Sequence, residues 1–160
     1  MSEKMLMLTM TRIEVEHLED LVRQFADLVN GTPSDDPAVE RLAPDVYPDD
    51  SEASNEFRSL TRGDLLHRRA RDASMVRRAL EKVTDSGETD EFAPVDLALD
   101  EEATEAWLRT LTSLRLVIAS RLGISAETAH DPEDPRFAVF DWLGYRLDGL
   151  VTAADELHGE

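Results

Sequence analysis

Apolar residues recur at three- and four-residue spacing along most of this chain, which favours helices over strands. In the first such stretch the apolar positions are Val15, Leu18, Val22, Phe25 and Val29. Comparable stripes run through residues 65–83, 107–122 and 140–154. A chain of 160 residues with 41% apolar side chains can bury one core. We therefore predict one helical domain that covers residues 1–160.

Two short segments break the helical pattern and indicate strands. Residues 4–9 read as extended chain, and residues 95–99 alternate apolar side chains with Asp96 and Ala98. Two isolated strands each need the other's backbone groups, so we expect them to pair. The predicted fold class is mainly α, a single-domain helical bundle with a small two-stranded β-sheet at about residues 4–9 and 95–99.

Local signals place the helix ends. Thr11 followed by Glu14 is a capping-box pattern that opens the first helix. A second helix is expected from near Ser54 to Val83, and the sequence does not decide whether Gly63 breaks it. Asp100 is expected to cap the third helix, and the last helix is expected at about residues 135–157. Acidic loops are expected at about residues 31–53 and 84–94.

Charge is distributed very unevenly. The chain carries a formal net charge of −18, yet residues 58–82 hold eight of its seventeen Lys and Arg side chains. That stretch contains only three acidic residues, so its own net charge is +5 and the remainder carries −23. An arginine-rich helix on an acidic body selects among partners by charge.

Four of these cations form an outward strip at helical spacing. Its members are Arg68, Arg71, Arg78 and Lys82. The strip is either a solvated face, a dock for an acidic protein whose carboxylates the arginines grip, or a nucleic-acid contact. The large negative charge elsewhere disfavours nucleic acid, because phosphate binding depends on cations that displace counterions.

Arg69 falls inside the apolar stripe of the same helix. A guanidinium there needs a carboxylate or carbonyl partner, because an unpaired buried charge is costly. Asp72 lies one turn further on and is the candidate partner. We favour a structural ion pair between Arg69 and Asp72 over a ligand site.

Two further features have competing interpretations. Trp142 and Tyr145 lie away from the main stripe of the last helix, where they either pack under a loop or form an anchor patch for a protein partner. Residues 121–129 imitate the turn of a helix-turn-helix, but Asp131 and Pro132 end that segment almost at once. A capped turn between helices is the favoured interpretation.

The sequence offers no pattern typical of catalysis. It has no cysteine, no nucleophile elbow, no phosphate loop, no dinucleotide-binding glycine pattern and no paired histidines at metal-ligand spacing. No apolar run approaches the roughly 20 residues that a membrane span needs. We predict no enzymatic activity, no cofactor, no metal and no membrane contact, with a cytoplasmic location as the default; oligomeric state is left open.

Three stretches together resemble a known actinobacterial family. They are residues 45–50 around Tyr47 running on to 55–61 around Phe57, then 107–123 from Trp107, and 140–151 around Trp142. They are similar to the oxidation-sensing regulator (AosR-like) family, formerly described as a domain of unknown function. The resemblance covers nearly the whole chain.

That resemblance implies a regulatory protein linked to transcription during oxidative stress, acting through a partner such as an alternative sigma factor. Sensing of that kind uses cysteine oxidation, and this chain has no cysteine. The expected function is therefore regulation through protein–protein contact without a cysteine switch of its own. Direct DNA binding, and after it a metal-dependent hydrolase, stay as the alternatives.

Overall fold

Four helices dominate the part of the chain that the structure describes. The computed structural model of the chain describes residues 4–30, 38, 42, 52–87, 90–123 and 133–158, and the side chains of those outside 52–62 and 158. The helices are α1 (Arg12–Asn30), α2 (Glu52–Thr84), α3 (Glu101–Leu122) and α4 (Ala138–His158). Strands β1 (Leu6–Thr11) and β2 (Pro94–Leu99) and a 3-10 turn (Pro135–Phe137) accompany them. The predicted fold class, mainly α with a small two-stranded sheet, is confirmed.

The two strands pair antiparallel, in register from Leu6 opposite Leu99 to Thr11 opposite Pro94. Alternation places one face of the pair on the core, where Leu6 and Leu99 are buried. On the other face Thr9 Oγ1 donates a hydrogen bond of 2.6 Å to Asp96 Oδ1. The expected pairing is confirmed, with β1 shifted about two residues towards α1.

The capping box at the start of α1 is confirmed. Glu14 Oε1 accepts from the backbone N–H of Thr11 at 3.1 Å, and Thr11 Oγ1 accepts from the N–H of Glu14 at 3.3 Å. Next to it, buried Arg12 donates from Nη2 to the carbonyl of Thr84, the last residue of α2. A cation at a helix C-terminus is favourable, so the start of α1 also completes the end of α2.

Helix α2 runs without interruption for 33 residues and passes through Gly63. The break left open at that glycine is therefore absent. A glycine inside a helix costs only about 1 kcal/mol. Burial of Leu66, Ala73, Val76 and Leu80 along one side outweighs that cost. The predicted loop at about 31–53 lies outside the described residues, apart from Ala38, Leu42 and the first two residues of α2.

Each helix packs chiefly on the next one along the chain, α1 on α2, α2 on α3 and α3 on α4. Asp100 caps α3 as expected, because its side chain accepts from the N–H of Ala103. Between α3 and α4 the Arg115 guanidinium stacks 3.9 Å from the centre of the Phe140 ring, directly over Gly144. None of the described helices is long and apolar enough to cross a membrane.

Candidate functional site

An open groove separates α2 from α3 on the surface of the bundle. Its volume is about 650 Å³. Five of its lining side chains are arginines and two are carboxylates, and we call it the arginine groove. The lining comprises Leu65, Arg68, Arg69, Arg71, Asp72, Ser74, Met75, Arg78, Glu102, Ala106 and Arg109.

The helical period explains why so many arginines meet there. At about 100° per residue, Arg68, Arg71 and Arg78 fall within about a quarter of the circumference of α2. The buried stripe that includes Val76 and Leu80 lies on nearly the opposite side of the same helix. The packing of that stripe against α1 and α3 therefore directs the strip arginines along the open edge. Lys82, the fourth strip residue, is exposed but does not line the groove.

The strip arginines are exposed and largely unpaired. Within the described ranges, Arg68, Arg71 and Lys82 take part in no ion pair. Arg78 donates one long hydrogen bond of 3.4 Å to the hydroxyl of Ser74. By contrast Arg77, which flanks the buried stripe on the side of α1, has its Nε 2.9 Å from Glu81 and 3.7 Å from Glu19 of α1.

Asp72 is the central carboxylate of the groove, and its main partner is Arg109 on α3. Arg109 donates from Nε to Oδ2 at 2.9 Å and from Nη2 to Oδ1 at 3.2 Å, a bidentate contact between two helices. These hydrogen bonds raise the pKa of Arg109 above its usual value. The expected partner, Arg69, is half-buried and reaches Asp72 Oδ2 only at 3.8 Å. The sequence pointed to Asp72 but missed Arg109, which lies 37 residues away.

Trp142 and Tyr145 do not form one patch. The indole N–H of half-buried Trp142 donates to Glu14 Oε2 at 2.8 Å, and the ring lines a small apolar cleft with His17 and Leu21 of α1. Tyr145 is 73% exposed and lines a different depression beside β1. The two residues therefore face different surroundings, and neither lines the arginine groove.

The Glu14 carboxylate accepts hydrogen bonds from Thr11, Trp142 and Arg146, and we call these four residues the Glu14 cluster. Besides Thr11 and Trp142, Arg146 donates to Oε2 from Nε at 3.1 Å and from Nη2 at 2.5 Å. Arg146 also reaches the carbonyl of Thr9 in β1. Desolvation alone raises the pKa of Glu14, but the hydrogen bonds from Arg146, Thr11 and Trp142 outweigh it and lower the pKa to about 2.

The two sites offer different chemistry. The donors of the Glu14 cluster are all used within the fold, whereas the groove presents planar guanidinium forks that grip carboxylates or phosphates in pairs. In the part of the chain that the structure describes, no three His, Asp or Glu side chains are arranged to hold a metal ion. Residues 124–129 of the helix-turn-helix-like segment lie outside the described residues, and α3 ends just before them at Gly123 in the left-handed conformation.

The structure is a small helical bundle with an arginine-lined groove on its surface, and the rest of the chain is acidic. Residues 2–154 match the family described as Domain of unknown function (DUF2017), and the chain belongs to that family. No curated protein matches the chain. No solved structure matches it either.

Proposed function

We propose that this protein is a non-enzymatic regulator that acts by protein–protein contact, and that the arginine groove is where an acidic partner docks. The observation that carries the proposal is the exposure of Arg68 and Arg71 without an ion pair among the described residues. Such cations are unusual on a chain with 35 acidic side chains and only 17 Lys and Arg. A partner carboxylate would supply the acceptors that the chain does not provide there.

The resemblance to the oxidation-sensing regulator (AosR-like) family supports the regulatory part of the proposal. By that resemblance the partner is a transcription component, such as an alternative sigma factor, in the cytoplasm. The chain lacks cysteine, so any redox sensing belongs to the partner in this proposal.

Electrostatics favours an acidic protein over nucleic acid as the partner. One end of the groove adjoins a concentration of carboxylates at the start of α3, where Asp100, Glu101, Glu102 and Glu105 surround a shallow depression. A long phosphate backbone that followed the arginines would pass close to these charges, and the rest of the chain would repel it. A short protein segment can place its own carboxylates on the arginines and stop before that end.

Co-purification from cells tests the proposal. Arg71→Glu/Arg78→Glu should lose partners that the wild type retains, because reversed charge repels an acidic segment. Arg23→Glu/Arg136→Glu, which changes the net charge equally at two exposed arginines outside the groove, should retain them. An identical partner set for both double variants would contradict the proposal. Binding of promoter DNA at low salt, lost with Arg71→Glu/Arg78→Glu, would instead favour direct DNA recognition.

A further inference from the structure

We infer that the segment that occupies the arginine groove is a short amphipathic helix with one acidic side, an inference that rests on the proposed function. The groove has an apolar floor as well as cationic walls. Leu65 and Met75 of α2 and Ala106 of α3 contribute the floor. A purely charged ligand would cover this apolar floor without making an apolar contact to it. An amphipathic segment would bury an apolar side chain on it.

Backbone chemistry favours a helix over an extended segment. Both walls of the groove are helices, whose backbone N–H and C=O groups, apart from the first turn of α3, are bonded within α2 and α3. An extended segment would find no strand edge there and would leave its own backbone groups without protein partners. A helix satisfies those groups internally and offers only side chains to the groove. The groove therefore matches the helix-in-groove mode of recognition rather than strand addition.

The spacing of the arginines sets the expected pattern of the ligand. Arg71 and Arg78 are seven residues apart on α2, which corresponds to two turns or about 10 Å. Met75 lies between them on the same side of the helix. A docked helix that runs alongside α2 would therefore carry carboxylates about seven residues apart, with an apolar residue midway. Glu102 on the facing wall disfavours a helix that is acidic all round.

Designed peptides test the inference through fluorescence anisotropy at low ionic strength. The first is a labelled helix of about 15 residues with two Glu about seven residues apart and Leu between them. The second has the same side chains but a central proline, which breaks the helix. We expect the helical peptide to bind at least about tenfold more tightly than the proline peptide.

Protein variants locate the binding site. Arg71→Glu/Arg78→Glu should weaken binding of the helical peptide about tenfold or more, while Arg23→Glu/Arg136→Glu should leave it unchanged. Met75→Gln should weaken binding of the helical peptide severalfold, because a polar group would replace the apolar contact. The same variant should leave the binding of polyglutamate, a purely acidic probe, unchanged.

The outcomes separate the helix inference from the proposed function. Equal binding of both peptides, each still sensitive to Arg71→Glu/Arg78→Glu, would overturn the helix and leave the acidic partner standing. Tighter binding of polyphosphate or duplex DNA than of the helical peptide would overturn a protein occupant. If neither peptide binds but co-purified partners still depend on Arg71 and Arg78, the helix inference fails alone. If that dependence is absent as well, both fail.

Discussion

The Glu14 cluster and the arginine groove use the same side chain for opposite purposes. In the cluster, Arg146 donates hydrogen bonds to Glu14 and to the carbonyl of Thr9, and the Arg146 and Glu14 side chains are only 23% and 21% exposed. In the groove, Arg68 and Arg71 are exposed and have no ion-pair partner among the described residues. A guanidinium whose N–H groups are hydrogen-bonded within the chain can stabilise the fold. A guanidinium whose N–H groups lack such bonds is available to a ligand.

The number of arginines in a stretch therefore says little about its role until each arginine is matched to an acceptor. Residues 58–82 are rich in arginine, yet Arg77 is paired with Glu81 and Glu19, while Arg71 has no ion pair within the described part of the chain. Conversely, Arg146 lies in an acidic region and has a structural role. Stability measurements on matched variants can therefore test the difference between the two sites.

The largest effect is expected for Glu14→Gln. The substitution keeps the shape of the side chain but removes its charge. In the wild type the donors bind two carboxylate oxygens, whereas the glutamine has only one acceptor oxygen. We expect a loss of about 2 kcal/mol in the free energy of unfolding, because Arg146 is left partly buried without its counter-charge. Thermal unfolding should then shift down by about 4–8 °C.

Glu105→Gln is the matched control for that measurement. Glu105 is 55% exposed and lies 3.8 Å from Arg109, so its removal should change the free energy of unfolding by less than about 0.5 kcal/mol. Similar losses for the two variants in urea titrations would show that the Glu14 cluster does not hold β1, α1 and α4 together.

The contribution of Glu14 to stability should also depend on pH. The folded-state pKa of Glu14, about 2, lies below its ordinary value of 4.5. Its contribution is therefore fully present above about pH 4.5 and is lost as the pH falls towards 2, with a ceiling of about 3 kcal/mol. Because the chain contains 35 Asp and Glu side chains, the useful quantity is the stability difference between wild type and Glu14→Gln. That difference should shrink from pH 6 to pH 3; a constant difference would contradict the assignment.

Local features of the fold could be predicted from sequence because their causes are local. The capping box at Thr11 and Glu14 depends on a three-residue spacing, and the β2 segment depends on strict alternation. The break left open at Gly63 illustrates the limit of such reasoning. Propensity describes the cost of glycine in a helix, whereas the gain from packing α2 on α1 and α3 is visible only in three dimensions.

The sites depended on distant contacts, and there the sequence was less informative. Glu14 could be recognised as a cap, but its bond to Arg146 joins residues 132 apart. Asp72 could be paired with Arg69 one turn away, but the shorter contact comes from Arg109 on another helix. No spacing rule relates such pairs. The strip on α2 could be predicted because its members share one helix.

The smallest effect on stability is expected in the groove itself. Arg71→Met and Arg78→Met keep a long, helix-compatible side chain and remove only the charge. Neither arginine has a carboxylate partner among the described residues, so each substitution should change the free energy of unfolding by less than about 0.5 kcal/mol. Arg146→Met should cost about 2 kcal/mol, because it leaves the Glu14 carboxylate without its cation. Urea titrations of the three variants make the comparison directly. A loss above about 1 kcal/mol for Arg71→Met would mean that this arginine stabilises the fold, and the arginine groove would then lose the open donors on which partner docking depends.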